Sequence, residues 1–206
     1  MSHYYDFDAS LQSKPKQLKA YIGGKTLTFI SDIGVFSKDE IDFGSHVFIK
    51  ELLKLKPVES ILDVGCGYGV IGLTLSYFDA CARVHLVDIN ERAIDLTKQN
   101  SKNLSIKNAI IYKSNGLSEV VDTFDRIVIN PPIRAGKAVI YKMFEDSLKH
   151  LNDNGELWIV IKKDLGAPSA CKKITEIFNN CECVLKHKGY WILKAIKKLD
   201  TAKSSD

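Results

Sequence analysis

The sequence predicts an α/β fold in which a mostly parallel sheet is covered by helices on both faces. From residue 59 onward, short apolar runs alternate with segments of helical periodicity, which is typical of βα units. A glycine-rich turn follows the first of these runs. The last two runs, in "CECVLKHKGYWILKAIK", are joined by a link too short for a parallel crossover. The sheet is therefore predicted to end in an antiparallel hairpin.

The segment before residue 57 has other signals. Residues 1–16 are predicted to form a loose arm, and "QLKAYIGGKTLTFI" a small β-hairpin, because its alternating pattern flanks Gly23-Gly24 and glycine tolerates a positive φ. "DFGSHVFIKELLKLKP" has helical periodicity, with Ser45 predicted as the amino-terminal cap and Pro57 as the stop.

The alternating part of the chain predicts seven strands and four helices. The strands are placed near 60–64, 83–88, 108–112, 124–129, 155–161, 182–187 and 190–196. The helices are placed near 69–78, 91–101, 137–151 and 168–179. We expect an arm, hairpin and helix packed on the core at 1–56, an α/β domain at 57–198 and a disordered tail at 199–206.

Composition indicates a soluble globular protein of 206 residues, with 45% hydrophobic and 26% charged residues. The five cysteines form no CxxC pair, which predicts reduced thiols of a cytoplasmic protein and no metal site. The polar amino terminus is no signal peptide, and no apolar run approaches the ~18 residues of a membrane span.

The formal net charge is +4, and the basic excess lies after residue 130. It includes the pairs Lys162-Lys163 and Lys172-Lys173. These basic residues could lie on solvated helix faces or form a surface that contacts phosphates, and both interpretations remain open at this point.

The glycine turn in "ILDVGCGYGVIG" allows two interpretations of the ligand. Gly67-x-Gly69-x-x-Gly72 matches the dinucleotide fingerprint, and Asp88 follows at about the distance of a ribose-binding acid. That match would make the protein a nicotinamide-dependent oxidoreductase. A third, simpler interpretation is that the glycines only tighten a βα turn.

The position of the strand favours a different cofactor. The strand is predicted to end at Val64, so the turn begins at Gly65, and Asp63 lies just before it. A carboxylate there is unfavourable beside a pyrophosphate but suits a ligand that carries positive charge. S-adenosylmethionine, with its ammonium and sulfonium groups, is such a ligand. Asp88 can accept hydrogen bonds from ribose hydroxyls in either case.

The stretch "VINPPIRAG" places an amide and two rigid rings after a buried strand. Asn130 is predicted to lie in the same crevice as the glycine turn, because ligands bind beyond the carboxyl ends of parallel strands. The Asn130 side-chain oxygen and the Pro131 carbonyl would be two fixed acceptors for an –NH₂ group. They would favour positive charge developing on that nitrogen during alkylation.

These motifs together resemble class I S-adenosylmethionine-dependent methyltransferases that modify exocyclic or amide nitrogens. "GVFSKDEIDFGS" (34–45), "SN" (114–115), "NPPIRAG" (130–136) and "HLNDNGELWIVI" (150–161) are similar to the small-subunit ribosomal RNA guanine-N2 methyltransferase family. "MSHYY", "GVFSK", "NPPIRAGK", "GAPSA" and "KGYWILK" resemble its short, single-domain bacterial branch. The resemblance implies a Rossmann-like seven-stranded sheet with a carboxy-terminal antiparallel hairpin.

The resemblance also implies roles for individual residues. Those expected to surround the cofactor are Phe36, Gly44, Ser45, Asp63, Gly65, Cys66, Gly67, Gly69, Asp88, Ile89, Ser114 and Asn115. Within this set, Asp63 would lie near the cofactor's amino group, Asp88 at the ribose and Asn115 at the adenine. The residues expected at the target base are Asn130, Pro131, Pro132, Ile133 and Arg134. Ile133 replaces the aromatic residue that many ribosomal members carry there, so it offers packing without a π face.

The activity implied is methylation of guanine N2 in 16S ribosomal RNA, with ribosomal RNA or the small subunit as partner. Two targets within the class remain as alternatives, which are adenine N6 and protein glutamine N5. Two other classes also remain, which are an NAD-dependent oxidoreductase and a non-catalytic RNA-binding module.

Overall fold

The computed structural model describes residues 14–32, 35 and 41–199. The predicted arm up to residue 13, the residue Phe36 and the predicted tail from residue 200 lie outside the described residues. Among the helices that are described, none is both long and apolar enough to cross a membrane.

The chain first forms the predicted antiparallel hairpin of β1 (Lys16–Ile22) and β2 (Lys25–Ser31). Gly23 and Gly24 make the turn with φ of 55° and 77°, which glycine adopts without the strain of a side chain. One face of the hairpin is buried in the core, through Leu18, Ala20, Ile22, Leu27 and Phe29.

Within residues 41–199, the main sheet has seven strands in the order β5-β4-β3-β6-β7-β9-β8. They are β3 (Ser60–Val64), β4 (Arg83–Asp88), β5 (Ala109–Lys113), β6 (Phe124–Ile129), β7 (Leu151–Lys162), β8 (Glu182–His187) and β9 (Tyr190–Ile196). The pairs from β5 to β7 are parallel, and β9 pairs antiparallel with both β7 and β8. The predicted fold class is confirmed.

In the part of the chain that the structure describes, five α-helices cover the two faces of the sheet. They are α1 (Phe43–Leu52), α2 (Val70–Phe78), α3 (Glu91–Asn103), α4 (Lys137–His150) and α5 (Ala167–Phe178). The hairpin and α1, α2 and α3 contribute to the buried cluster on one face, and α4 and α5 to the cluster on the other. The sheet is thus buried on both sides, as its long apolar strands require.

The bounds predicted for the first helix, α1, were wrong at both ends. Its cap is Asp42, whose Oδ1 accepts a hydrogen bond from Ser45 N at 3.0 Å, so Ser45 lies in the first turn. The helix ends at Leu52, before Pro57, because the next residues close with i→i−3 hydrogen bonds from Lys54 N and Leu55 N. The strand β7 also begins earlier than predicted, at Leu151, which pairs with Phe124.

Candidate active site at the carboxyl edge of the sheet

The carboxyl ends of three parallel strands meet where the strand order reverses. β3 lies between β4 and β6, and Val64, its last residue, pairs with Val87 and Ile129. The glycine turn after β3 and Asn130 after β6 therefore lie at the same edge of the sheet, with Asp88 at the end of β4. This switch point is where open α/β sheets bind ligands.

The glycine turn leaves room above its backbone. Gly65, Gly67 and Gly69 have φ of 73°, 57° and 89°, which side-chain-bearing residues rarely adopt. A Cβ at Gly65 or Gly67 would meet nothing within 4 Å, so these two border open space. A Cβ at Gly69 would lie 2.8 Å from a Leu73 methyl carbon and 2.9 Å from the Thr97 methyl carbon. The first two glycines therefore offer a ligand close access to the backbone, and the third allows close packing.

The Asp88 carboxylate ties this turn to β4. Its Oδ2 accepts a hydrogen bond from Gly67 N and its Oδ1 from Asn90 N, both at 2.9 Å. Burial raises the pKa of Asp88, and the backbone N–H groups of Asn90, Gly67 and Ile89 oppose that rise. A carboxylate has about four lone-pair sites, so this half-buried side chain can accept ligand hydroxyls as well.

The Asp63 carboxylate braces α2 against the sheet. It is 1% exposed, and its Oδ2 accepts a hydrogen bond from Gly72 N at 2.8 Å. A Cβ at Gly72 would lie 2.5 Å from Leu86 and 2.9 Å from that Oδ2, so the contact needs glycine. Burial raises the pKa of Asp63 to about 7; the Gly72 N–H lowers it and the charge on Asp88 raises it. Asp63 is thus poised to become ionised beside a cation.

Asn130 is held by a side chain from the other end of the domain. Its Nδ2 donates to Ser45 Oγ at 2.9 Å, and Ser45 is buried in the first turn of α1. Because Asp42 caps the helix, the Ser45 hydroxyl is free for this contact. Among the described residues, no donor reaches Asn130 Oδ1, so the amide oxygen can accept from a ligand.

The residues after Asn130 form a rigid exit from the sheet. Pro131 is buried, and a 3₁₀ turn at Ile133–Ala135 follows, with Ala135 N donating to Pro132 O at 2.9 Å. Ile133 packs against the core on the side of α4 and α5, whereas Arg134 is exposed. The turn therefore fixes the backbone next to Asn130 and leaves one cation at the surface.

The sequence matches a known family over most of its length. The model of the methyltransferase small domain covers residues 26–194. The chain belongs to this family. The predicted resemblance to S-adenosylmethionine-dependent methyltransferases is confirmed, and with it the predicted cofactor at the level of the family. The oxidoreductase alternative has no support from this match.

Relatives of this chain differ in length. The Bacillus subtilis (strain 168) protein YbxB, described as uncharacterized, is 46% identical over 197 residues, which make up 95% of this chain and 98% of that protein. The ribosomal RNA small subunit methyltransferase C of Erwinia tasmaniensis is 32% identical over 80% of this chain and 48% of its own length. The ribosomal RNA large subunit methyltransferase G of Cronobacter sakazakii is 31% identical over 91% of this chain and 51% of its own. The chain spans about half the length of these two ribosomal RNA methyltransferases.

A solved structure shares this fold closely. It is the T. thermophilus 16S rRNA N2 G1207 methyltransferase (RsmC) in complex with AdoMet and guanosine, with a TM-score of 0.81 and 25% identity. The match covers 91% of this chain and 52% of that one. About half of a longer enzyme is therefore the structural counterpart of most of this chain.

Several predicted cofactor residues have structural roles within the domain. The Cys66 side chain is buried, with Sγ 3.8 Å from Thr97 Oγ1, so it faces the core and not the open space above the turn. Ser114 is also buried; its N donates to Asp88 O at 3.0 Å and its Oγ to Gly116 O at 2.9 Å. Asn115 is exposed and lines an open groove of about 660 Å³ beside α4. The contacts of these residues with a cofactor stay predictions.

The structure shows why residue 44 is glycine, which could not be inferred from the sequence. It is buried in the first turn of α1, and a Cβ there would lie 2.6 Å from Cε1 of the Tyr190 ring. Gly44 thus lets the start of α1 pack against the β8–β9 hairpin. The predicted role of Phe36 in closing over the cofactor lies outside the described residues.

Asn100 supports the glycine turn through buried hydrogen bonds, and this role was not predicted from the sequence. From the buried face of α3, its Nδ2 donates to Tyr68 O and to Ile30 O at 2.9 Å, and its Oδ1 accepts from Ile30 N at 2.7 Å. One amide therefore links the amino-terminal hairpin to the glycine turn. The sequence feature that could have indicated this role is an asparagine on the apolar side of a helix, because a buried amide requires hydrogen-bond partners.

Proposed function

We propose that this methyltransferase modifies guanine N2 of 16S ribosomal RNA in the cytoplasm, with S-adenosylmethionine as the methyl donor. The observation that carries the proposal is the position of Asn130. Its amide lies at the carboxyl end of β6, beside the glycine turn, with Nδ2 engaged by Ser45. A side-chain oxygen fixed in this way suits an exocyclic amino group, which presents two hydrogens to be accepted.

The residues around the switch point fit the cofactor. Gly65 and Gly67 would border its methionine part, because both face open space. Asp88 would accept the ribose hydroxyls with lone pairs left after its two backbone contacts, and Asp63 would balance the charge of the amino group. Ile89 and Asn115 would flank the adenine. When bound, S-adenosylmethionine supplies an activated methyl group on a positively charged sulfur.

The chain's own part in the chemical step is to position and polarise the target amine. Asn130 Oδ1 and the Pro131 carbonyl would each accept one hydrogen of the amine, which directs the nitrogen lone pair out of the plane of the base. Both acceptors stabilise positive charge as it develops on nitrogen. Pro131 and Pro132 limit backbone freedom, so less conformational entropy is lost when the base binds.

Ser45 would act as a positioning residue in this step. By accepting from Nδ2, its hydroxyl selects the orientation of the amide in which Oδ1 faces the target. Ile133, partly built into the core, would pack on the base, and the exposed Arg134 would stack on a base or contact a phosphate. This assignment moves Ser45 from the predicted cofactor set to the target side of the site.

RNA as the substrate is supported by the relatives, which include ribosomal RNA methyltransferases of both subunits. The small subunit is favoured by the structural likeness to a 16S rRNA methyltransferase, and guanine as the base by the guanosine bound to that enzyme. The test is mass mapping of modified nucleosides in 16S and 23S RNA from strains with and without the gene. We expect one N2-methylguanosine to disappear from 16S RNA and to return with the wild-type gene but not with Asn130→Ala.

Other outcomes of this mapping would overturn the proposal in defined ways. Loss of a methyl group from 23S RNA would assign the large subunit, and loss of N6-methyladenosine would change the target base. Unchanged ribosomal RNA together with loss of a methylated glutamine in a protein would assign the protein substrate.

A further inference from the structure

We propose that the start of α1 and the tip of the β8–β9 hairpin form a second RNA contact, which stacks an unpaired nucleotide that flanks the target. The surface consists of Phe43, His187, Lys188 and Tyr190 and is called the tip cluster below. The proposal rests on the proposed function, because it takes RNA to be the substrate.

The tip cluster presents aromatic faces at the surface. The Phe43 side chain is 37% exposed although it is large and apolar. Its ring is stacked on His187, with centroids 5.6 Å apart and planes at 21°, and lies 5.8 Å from the ring of Tyr190. Exposed, pre-stacked rings are the feature on which proteins stack splayed-out bases of single-stranded RNA.

Positive charge surrounds these rings. Lys188 Nζ lies 5.2 Å from the Phe43 ring centroid, and Lys186 Nζ lies 4.1 Å from that of Trp191. Lys162 pairs with Tyr190 in the sheet, and Lys163 N donates to Gly189 O at 2.7 Å, so two further exposed lysines adjoin the tip. Aromatic faces interleaved with lysines match the stacked bases and the phosphates of one strand.

The Asp42 carboxylate lies close enough to the tip cluster to act on it, because burial raises the pKa of Tyr190 and the charge of Asp42 raises it further. Asp42 is also engaged as the helix cap. Its Oδ1 accepts from Ser45 N at 3.0 Å. It therefore faces the helix terminus, whose dipole it complements.

The backbone of the hairpin turn also points to a role for the Lys188 side chain. Lys188 and Gly189 have φ of 44° and 81°, a two-residue turn in which asparagine and glycine are the favoured residues. Lysine at a left-handed position costs local stability compared with asparagine. Its ammonium group lies over the Phe43 ring, a cation–π contact that asparagine could not make.

The tip cluster lies on the same side of the molecule as the target site. Tyr190 begins β9 opposite Lys162, at the carboxyl end of β7. Phe43 is followed by Gly44, which seats the Tyr190 ring, and then by Ser45, whose hydroxyl holds Asn130. A strand that places its target base at Asn130 can therefore continue onto these rings.

The test is binding of a short unstructured RNA that contains 2-aminopurine, whose fluorescence falls on stacking, in the presence of S-adenosylhomocysteine. We expect Phe43→Ala to weaken binding roughly 5- to 160-fold, as for loss of one stacked base, and to abolish the quenching. Phe43→Trp should retain both. Lys188→Asn should lower the slope of log affinity against log salt by about 0.7, the value for one phosphate of a single strand.

Matched controls are an aromatic residue at the end of α2 and a lysine at the turn of the β1–β2 hairpin, where Phe78 lies against Gly23. Tyr77, 38% exposed and paired edge-on with Phe78, is the control for Phe43. Lys25, beside the turn of the β1–β2 hairpin, is the control for Lys188. Tyr77→Ala and Lys25→Asn should leave RNA affinity and salt slope unchanged.

The outcomes separate this proposal from the proposed function. A wild-type chain that binds no RNA contradicts the RNA substrate itself. A wild-type chain that binds RNA, with tip-cluster variants that bind and quench as well as it does, overturns only the tip cluster. Where Phe43→Ala lowers the melting temperature, Phe43→Leu keeps apolar packing without a π face, and normal quenching in that variant would overturn stacking.

Discussion

The two halves of the carboxyl edge are held together by different kinds of contact. In the cofactor half, carboxylates accept from backbone N–H groups, Asp63 from Gly72 and Asp88 from Gly67 and Asn90. In the target half, the Asn130 amide is held by the hydroxyl of Ser45, a side chain 85 positions away. The first set of contacts is local to β3, α2 and β4, and the second joins distant parts of the chain.

Because of this difference, we expect cofactor binding and the methyl-transfer step to depend on different contacts. Backbone donors are fixed by the sheet and the glycine turn, so the cofactor half is organised as soon as these elements pack. The target half is organised only when α1 docks on α2 and β7 and brings Ser45 to Asn130. We therefore expect substitutions in the cofactor half to change cofactor affinity, and substitutions in the target half to change turnover at nearly constant cofactor affinity.

The largest expected effect is that of Asn130→Ala. The variant removes an acceptor that stabilises charge appearing on nitrogen only as the methyl group moves. By analogy with loss of one preorganised oxyanion-hole donor, single-turnover methyl transfer should slow by about 10²–10³. The affinity for S-adenosylhomocysteine, measured by calorimetry, should change far less.

The variant Asn130→Asp refines this prediction. It keeps an acceptor oxygen but cannot donate to Ser45 when ionised, so it should retain part of the activity. If Asn130→Ala transfers methyl groups at the wild-type rate, Asn130 has no part in the reaction, and assignment to amino-group methylation fails with it.

The next effect is expected in the cofactor half. Asp88→Ala removes charge-assisted hydrogen bonds to the ribose, which should cost about 1.5–3 kcal/mol of binding free energy. Calorimetry with S-adenosylhomocysteine measures this loss, and NADH should not bind either form. NADH binding tighter than S-adenosylhomocysteine would return the chain to the dinucleotide interpretation.

A smaller, pH-dependent effect is expected from Asp63, the other carboxylate of this half. Burial raises its pKa to about 7, and a ligand ammonium group beside it would favour the ionised form. Binding should therefore release a proton below about pH 7, so affinity should rise with pH up to that value, by at most about tenfold per unit. Asp63→Asn should flatten this rise.

Calorimetry in two buffers of different ionisation enthalpy measures the proton released. Equal heats in the two buffers at pH 6 would show that Asp63 does not face the amino group. The carboxylate would then serve only to brace α2 through Gly72.

The elements that form the cofactor half could be predicted from the sequence, whereas the contact that holds the target half together could not, and the contrast between the two halves gives the reason. β3 was predicted at 60–64 and found at Ser60–Val64, and the glycine turn and Asp88 follow from short-range pattern. Parallel strands alone place Asn130 beside them. The partner of Asn130 could not be predicted, because no local pattern relates residues 85 positions apart.

The cap of α1 is a second feature that local sequence pattern could not decide. "DFGS" contains two good capping residues, Asp42 and Ser45, and the local pattern favours neither. The tertiary structure decides, because Ser45 Oγ meets Asn130 and leaves Asp42 to accept from Ser45 N. Gly44 is a similar case, since the Tyr190 ring that requires it lies far along the chain.

The smallest expected effect concerns Ser45 and decides between its two roles. Loss of a neutral hydrogen bond contributes about 0.5–1.5 kcal/mol, so Ser45→Ala should lower kcat by roughly 2- to 12-fold while the affinity for S-adenosylhomocysteine stays constant. Ser45→Thr keeps the hydroxyl and should restore part of the rate. A loss of cofactor affinity with normal kcat would instead support the cofactor role predicted from the sequence.

A double-mutant cycle with Asn130 completes this test. If Ser45 acts by orienting the amide, Ser45→Ala should have little effect once Asn130 is alanine, which gives a coupling energy of about 1 kcal/mol in the chemical step. Equal effects in both backgrounds would mean that Ser45 supports α1 in general. The cycle is measured in single-turnover methyl transfer, because steady-state rates can be limited by product release. Coupling in the single-turnover rate but not in cofactor affinity would establish that α1 docking organises the target half alone.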